Sequence, residues 1–328
     1  MAHFTGDSIT LDVRQLSIDY VTHGQPPARA VEDVSFTLHE GEMLGLVGES
    51  GCGKTTLMLG LLRLLPSAGR IVRGQIEFMG QDLLALSEDE MADIRWKDIA
   101  MIFQGAMNAL NPVRTVGDQI AEAIVRHKLA TNKTMLGQRV AELMELVGIG
   151  ANRMNQYPHQ YSGGMRQRAM IAMALACTPQ VVIADEPTTA LDVMVQAQVL
   201  EVLTTLCRKL GLAVVLVTHD LGVVAEVCDT VLVMYGGVTA EYTDVDTLYN
   251  NPQHPYTQRL LEAFPDLSRP MDKLASIPGH PPRLDALPSG CRFAPRCPFV
   301  FDRCHVDQPS LHSLGRFHYA SCHLVEPK

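Results

Sequence analysis

The stretch "MLGLVGESGCGKTT", Met43 to Thr56, constrains this chain more than any other. A short continuous apolar run reads as a buried strand. The glycines after it force a tight turn, and a helix is expected from Lys54 to about residue 65, stopping before Pro66. The turn fits Gly-x-x-x-x-Gly-Lys-Thr in the strand-to-helix context its chemistry requires. Glycines let consecutive backbone N–H groups curl around a phosphate chain. The helix N-terminus adds positive potential, Lys54 reaches terminal phosphates, and Thr55 can ligate Mg²⁺. The expected phosphate cradle is Gly48, Ser50, Gly51, Gly53, Lys54, Thr55 and Thr56.

The rest of the pattern is α/β with a mostly parallel central sheet. Residues 9 to 36 alternate apolar and polar, as in "LSIDYV" and "VSFTL", and predict an N-terminal antiparallel β subdomain. Between about 115 and 148 the period turns helical, which predicts an inserted helical subdomain, with about 112–178 as its span. A further helix is expected from Ser162 to before Pro179. Buried strands "VVIAD" and "LAVVLVT" follow, separated by a helix over about 195–210. Beyond Pro252 prolines become dense and periodicity fades, so a boundary is placed near 250, dividing the chain into 1–250 and 251–328.

Composition narrows the class. The 328 residues are 47% hydrophobic and 19% charged, which suits a folded protein with an ample core. A formal charge of −9 disfavours a nucleic-acid binder. The N-terminus lacks a basic start with an apolar core, and no apolar run approaches the roughly 18 residues of a spanning helix. The expectation is a reducing, cytoplasmic compartment.

Asp185 and Glu186 stand at the end of the strand in "VVIADEP", at the edge where open α/β sheets bind ligands. Asp185 is expected to hold Mg²⁺ through water, and Glu186 to accept a proton from the attacking water. Without the glycine loop, two such acids would read as caps for the next helix. His219 ends the next strand, "VVLVTHD", within reach of a terminal phosphate if the two strands are neighbours.

"QYSGGMRQR", about twenty residues before "ADEP", resembles the signature of ABC ATPases. The motif order agrees: the glycine loop, Gln104 in "MIFQG", Ser162-Gly163-Gly164, Asp185-Glu186, Asp192 in "ALD", and His219. "IFQGAMNALNP", "NPQHPYTQRLL" and the cysteine-bearing tail resemble ATPase subunits of oligopeptide/dipeptide importers, so the resemblance spans essentially the whole chain. It implies that Tyr20 lies against adenine, that Gln104 senses Mg²⁺ and links nucleotide state to a transmembrane partner, and that Glu186, His219 and Gln104 carry hydrolysis. It also implies that Ser162, Gly163 and Gly164 bind nucleotide held by another subunit, with Asp192 at the dimer interface.

The implied function is ATP-driven solute import at the cytoplasmic face of the inner membrane. The implied partners are a second, different ATPase subunit, two transmembrane permeases and an external solute-binding protein. Di- or oligopeptides are the favoured solute, and the same family includes importers of nickel chelates and oligosaccharides. Other ABC ATPase roles fit less well. Chromosome-maintenance ATPases need long coiled coil between Lys54 and Ser162, where no sustained heptads occur. Translation factors carry paired modules, and one glycine loop is present here.

Four of the eight cysteines follow the spacing Cys291-x5-Cys297-x6-Cys304-x17-Cys322. Structural zinc favours tighter Cys-x2–4-Cys knuckles, and disulfides are unusual in a reducing compartment. A [4Fe–4S] cluster suits wider spacing, although neither common ferredoxin run is matched. The cluster leans on the resemblance to the importer family's tail, with Zn²⁺ as the alternative. His305, His318 and His323 are close enough in sequence to replace a cysteine, and Cys52, Cys177, Cys207 and Cys228 are expected to be non-ligands.

Overall fold

The computed structural model describes residues 8–24, 26–103, 105, 109–189, 191–263 and 277–326. The chain opens with β1 (Ile9–Tyr20) and β2 (Ala28–His39), then β3 (Met43–Val47) and α1 (Lys54–Leu61). α1 ends earlier than its apolar sequence suggests. Arg63 adopts a left-handed φ of 53°, and the Leu64 N–H turns back to the Leu59 carbonyl at 2.9 Å. That closure satisfies a last-turn carbonyl and stops the helix.

β4 (Gly69–Phe78) and β5 (Gln81–Asp82) complete a four-stranded antiparallel sheet in the order β2-β1-β4-β5. α2 (Glu88–Ile94) starts with a capping box between Ser87 and Glu90 and leads to β6 (Ile99–Ile102). The inserted segment folds as α3 (Val116–Arg126) and α4 (Lys133–Leu146), and α5 (Gly163–Ala174) packs on both. Then come β7 (Val181–Asp185), α6 (Val193–Leu210), β8 (Ala213–Val217), α7 (Leu221–Val227), β9 (Thr230–Tyr235) and β10 (Val238–Asp244).

The large sheet, which ends in two short tail strands, β11 (His312–Ser313) and β12 (Tyr319–Ala320), runs β11-β12-β10-β9-β3-β8-β7-β6 and is parallel from β9 to β6. β3, β7 and β8 are buried at every residue, as expected of strands covered on both faces. One core packs α3 to α6 on one face. The other lies between the two sheets around α1, with Leu11, Ile18, Phe36, Leu46 and Leu57.

α8 (Val245–Asn250) and α9 (Pro255–Glu262) follow β10, and the tail holds α10 (Asp302–Val306), β11 (His312–Ser313) and β12 (Tyr319–Ala320). The composition break near residue 250 coincides with the end of α8, yet the segment beyond it returns to the body. β12 pairs with β10, and the Ser321 N–H bonds the Ala240 carbonyl at 2.9 Å. Phe293 stacks edge-on against Tyr235 and Tyr256, with ring centroids 5.1 and 5.4 Å apart. Glu241, fully buried on β10, accepts hydrogen bonds from the N–H groups of Gln253 (2.8 Å) and His254 (2.9 Å) and lies 2.8 Å from His318 Nε2. A single buried carboxylate thereby ties β10, the start of α9 and the tail together.

Candidate functional site

The parallel strands deliver the predicted residues to one edge of the sheet. β3 sits beside β8 and β8 beside β7, with Asp185 opposite Val217, so the loops after all three emerge together. The loop after β3 is tightly housed. A Cβ on Gly48 would stand 2.2 Å from the Met234 carbonyl oxygen, and one on Gly53, whose φ is 101°, would stand 2.4 Å from that of Ala30. Only glycine fits at either position.

Lys54 is nearly buried, and its ammonium donates to the carbonyls of Gly48 (2.6 Å) and Glu49 (3.2 Å), which bridges the loop. Thr55 Oγ1 donates to Asp185 Oδ2 at 3.1 Å. The two side chains expected at Mg²⁺ therefore meet directly. Burial pushes the Asp185 carboxyl up and the neighbouring Glu186 adds to this, while the Thr55 hydrogen bond and Lys54 oppose it. A divalent cation there would relieve the buried charge, so the donor set suits Mg²⁺.

Glu186 adopts a left-handed φ of 46°, a conformation that non-glycine residues rarely hold and that recurs at functional sites. Its backbone N–H bonds the Val217 carbonyl at 2.9 Å, its Oε2 accepts from the Thr189 hydroxyl at 2.9 Å, and its Oε1 lies 3.6 Å from Nδ1 of His219. β7 and β8 thus bring Glu186 and His219 together. Tyr20, at the end of β1, places its hydroxyl 3.2 Å from that of Thr56 on α1. Gln104 lies outside the described residues.

Ser162 caps α5 by accepting from the Met165 N–H, and Gly164 lets α5 approach α6, where an added Cβ would meet Val195 Cγ1 at 2.4 Å. Asp192 caps α6, accepting from the Val195 N–H at 3.0 Å. The next two residues, Val193 and Met194, are 82% and 73% exposed. An apolar groove of about 290 Å³ opens beside β6, lined by Leu64, Trp96, Met101, Phe103, Met170 and Met173.

The four tail cysteines all line one small cavity beside His254 and Phe293, with free space of only about 10 Å³. Burial raises the thiols of Cys291 and Cys297, and it pushes Cys322 up to about 11 with the other three cysteines adding to it. Among the described residues no group of three or more His, Cys, Asp or Glu side chains is arranged to hold a metal ion. The cysteines converge without closing on a metal. Two histidine substitutes are engaged elsewhere: His318 with Glu241, and both ring nitrogens of His323 with Glu326 (2.7 Å) and the Asp307 carbonyl (2.9 Å).

Sequence reasoning missed Glu49, Tyr256 and Arg296. Glu49 occupies a free position of the glycine-loop pattern, and its partners lie more than two hundred residues away in sequence, at separations of 207 and 247. The left-handed turn at Glu186 also has no sequence signal.

A family model described as ABC transporter matches residues 31–189, and one described as Oligopeptide/dipeptide transporter, C-terminal region matches residues 240–304. The chain is 45% identical to the dipeptide transport ATP-binding protein DppD of Escherichia coli (strain K12) over 95% of its length and 96% of that protein. It is 47% identical to the oligopeptide transport ATP-binding protein AppD of Bacillus subtilis (strain 168), over 94% and 95% respectively. Among solved structures, the dimeric post-hydrolysis state of the ATP-binding cassette MJ0796 bound to ADP and Pi superposes with a TM-score of 0.64. It is 26% identical and covers 72% of this chain and 98% of that one.

Proposed function

The chain belongs to the ABC transporter ATPases, with dipeptide and oligopeptide transport ATP-binding proteins as its relatives, and on that premise we propose that it hydrolyses ATP to drive peptide import through partner membrane subunits. The carrying observation is the convergence of Lys54, Thr55, Asp185, Glu186 and His219 at one sheet edge, with Thr55 and Asp185 3.1 Å apart.

In this reading Lys54 leaves the loop carbonyls for the terminal phosphates, and the loop N–H groups hold the phosphate chain. Thr55 and Asp185 would hold Mg²⁺, with Gln104 as a further ligand, and the ion would supply positive charge against the charge building on the phosphates. Glu186 takes the proton of the attacking water. His219, beside Glu186, reaches the γ-phosphate. Tyr20 stacks on adenine.

Ser162, Gly163, Gly164 and Asp192 serve nucleotide held by a second ATPase subunit, for which we favour a different chain. The exposed apolar Val193 and Met194 beside Asp192 support a covered face there. The groove beside β6, one residue from Gln104, suits an apolar helix of a membrane subunit. Among the described residues no helix is long and apolar enough to cross a membrane. As the ATPase subunit of an importer, the chain would sit peripherally at the cytoplasmic face of the inner membrane. A solute-binding protein would deliver the peptide from outside. Residues 1–250 form the ATPase unit, with the helical subdomain at about 112–178, and 251–328 the importer-type tail.

Cys291, Cys297, Cys304 and Cys322 would hold a structural [4Fe–4S] cluster, with Zn²⁺ the alternative. The support is their shared cavity. Anaerobic purification with iron, sulfide and zinc analysis separates the two, and a visible spectrum checks the iron. Zinc without iron or a brown chromophore would remove the cluster.

The transport reading is tested by reconstituting the complex in vesicles with its binding protein. Peptide uptake should require ATP and stop in Glu186→Gln. Uptake that continued without ATP turnover would overturn it.

A further inference from the structure

The loop after β3 is gripped by the C-terminal region through one side chain. Arg296 Nη1 donates to Glu49 Oε2 at 2.5 Å and Nη2 to Glu49 Oε1 at 3.0 Å, a bidentate pair. The remaining donors are also engaged: Nε with the Pro278 carbonyl (2.8 Å), Nη2 with that of Ile277 (3.1 Å) and Nη1 with the Tyr235 hydroxyl (3.2 Å). All five guanidinium N–H groups have partners. The Arg296 side chain is 4% exposed, and Glu49 27%.

Glu49 is held by its main chain as well. Its N–H donates to the Tyr256 hydroxyl at 3.0 Å, and its carbonyl accepts from Lys54 at 3.2 Å. Tyr256 and Tyr235 stack with centroids 4.6 Å apart. The residue between Gly48 and Ser50 is therefore fixed at its N–H, its carbonyl and its carboxylate. Buried ion pairs contribute little net stability compared with apolar packing of the same shape. A planar, fully bonded guanidinium does supply a fixed geometry.

We propose that Arg296 is a positioning residue for nucleotide binding: its bidentate pair with Glu49 lets the C-terminal region set the shape of the phosphate loop. This rests on the ATPase reading above. Arg296 adjoins Cys297, so whatever orders the cysteine-bearing segment also orders the clamp. The tail acts on the nucleotide site without contributing a group to it.

The test uses a fluorescent ATP analogue with Mg²⁺ on the purified full-length chain, and steady-state phosphate release from the assembled transporter complex. Arg296→Met and Glu49→Gln should each weaken nucleotide affinity about tenfold, and the double variant no more than either alone, because the pair acts as one unit. KM should rise in parallel while kcat at saturation changes by less than about threefold. Arg296→Lys should recover only part of the loss, since an ammonium lacks the fork. Unchanged affinity, or losses that add in the double variant, would overturn the clamp. Should Arg296→Met fail to fold, Glu49→Gln decides alone, because it keeps an amide oxygen in place and leaves Arg296 its three other acceptors. A wild-type chain that neither binds nor hydrolyses ATP would remove the ATPase reading and the clamp together. Wild-type activity with unaffected variants would remove the clamp only.

Discussion

Thr55 on α1 and Asp185 at the end of β7 share a hydrogen bond of 3.1 Å although 130 residues separate them in sequence. The bond exists because β8 alone lies between β3 and β7, so the two loops open side by side. The two side chains proposed to hold a divalent cation thereby meet, with Glu186 next along the chain.

Glu186→Gln should keep nucleotide binding and lose hydrolysis by ~10²–10⁴-fold, the range for a positioned general base. Lys54→Ala should instead weaken binding itself. Phosphate release and nucleotide titration, measured side by side, separate the two. Near-normal turnover in the glutamine variant would mean that Glu186 is not the base.

Stability should fall in acid because of His254. The ring is fully buried, Nδ1 accepts from the Tyr256 N–H at 3.0 Å, and burial lowers its pKa from 6.5 to about 4. The unfolded chain binds a proton below its ordinary pKa of 6.5 while the folded chain resists until about 4. The stabilisation is therefore complete above 6.5 and erodes between these values, by about 3 kcal/mol at most. Urea unfolding at pH 7 and pH 5 checks the slope, and His254→Gln should flatten its share of it.

Glu241→Ala should release the tail. It leaves the Gln253 and His254 N–H groups and His318 without their buried acceptor, at about 1–3 kcal/mol for each unsatisfied group. Proteolysis should then cut beyond residue 250 faster than in the wild type. An unchanged cleavage rate would show that β12 pairing, the Phe293 packing and the Arg296–Glu49 pair secure the tail without Glu241.

A charge in the groove beside β6 should disrupt assembly. Met173→Glu places a carboxylate among Trp96, Met170 and Phe103. Co-purification with membrane subunits should be lost, while nucleotide titration of the isolated chain stays within about twofold of the wild type, as expected for separated sites. Retained co-purification would place the membrane contact elsewhere.

The residues of the proposed nucleotide site could be picked out of the sequence because their signals are local. A glycine loop must follow a buried strand and open a helix, so Gly48 to Thr56 announce their own backbone. Asp185 and His219 were legible for a similar reason, since an apolar run ending in a polar residue marks a strand terminus. The turn from 3.6-period to short apolar segments likewise located the helices of the inserted region. Tertiary structure alone decided what those local units meet. The neighbour relation of β7 and β8, the left-handed turn at Glu186, the Glu241 staple and the Arg296–Glu49 pair all join residues distant in sequence or shaped by their surroundings. A charged side chain carries no local mark of its partner, because pairing is settled by which surfaces the core brings together. The same holds for the tail cysteines: their spacing announces a cluster of thiols, but where each sulfur stands is set by how Phe293, Arg296 and β12 dock on the body.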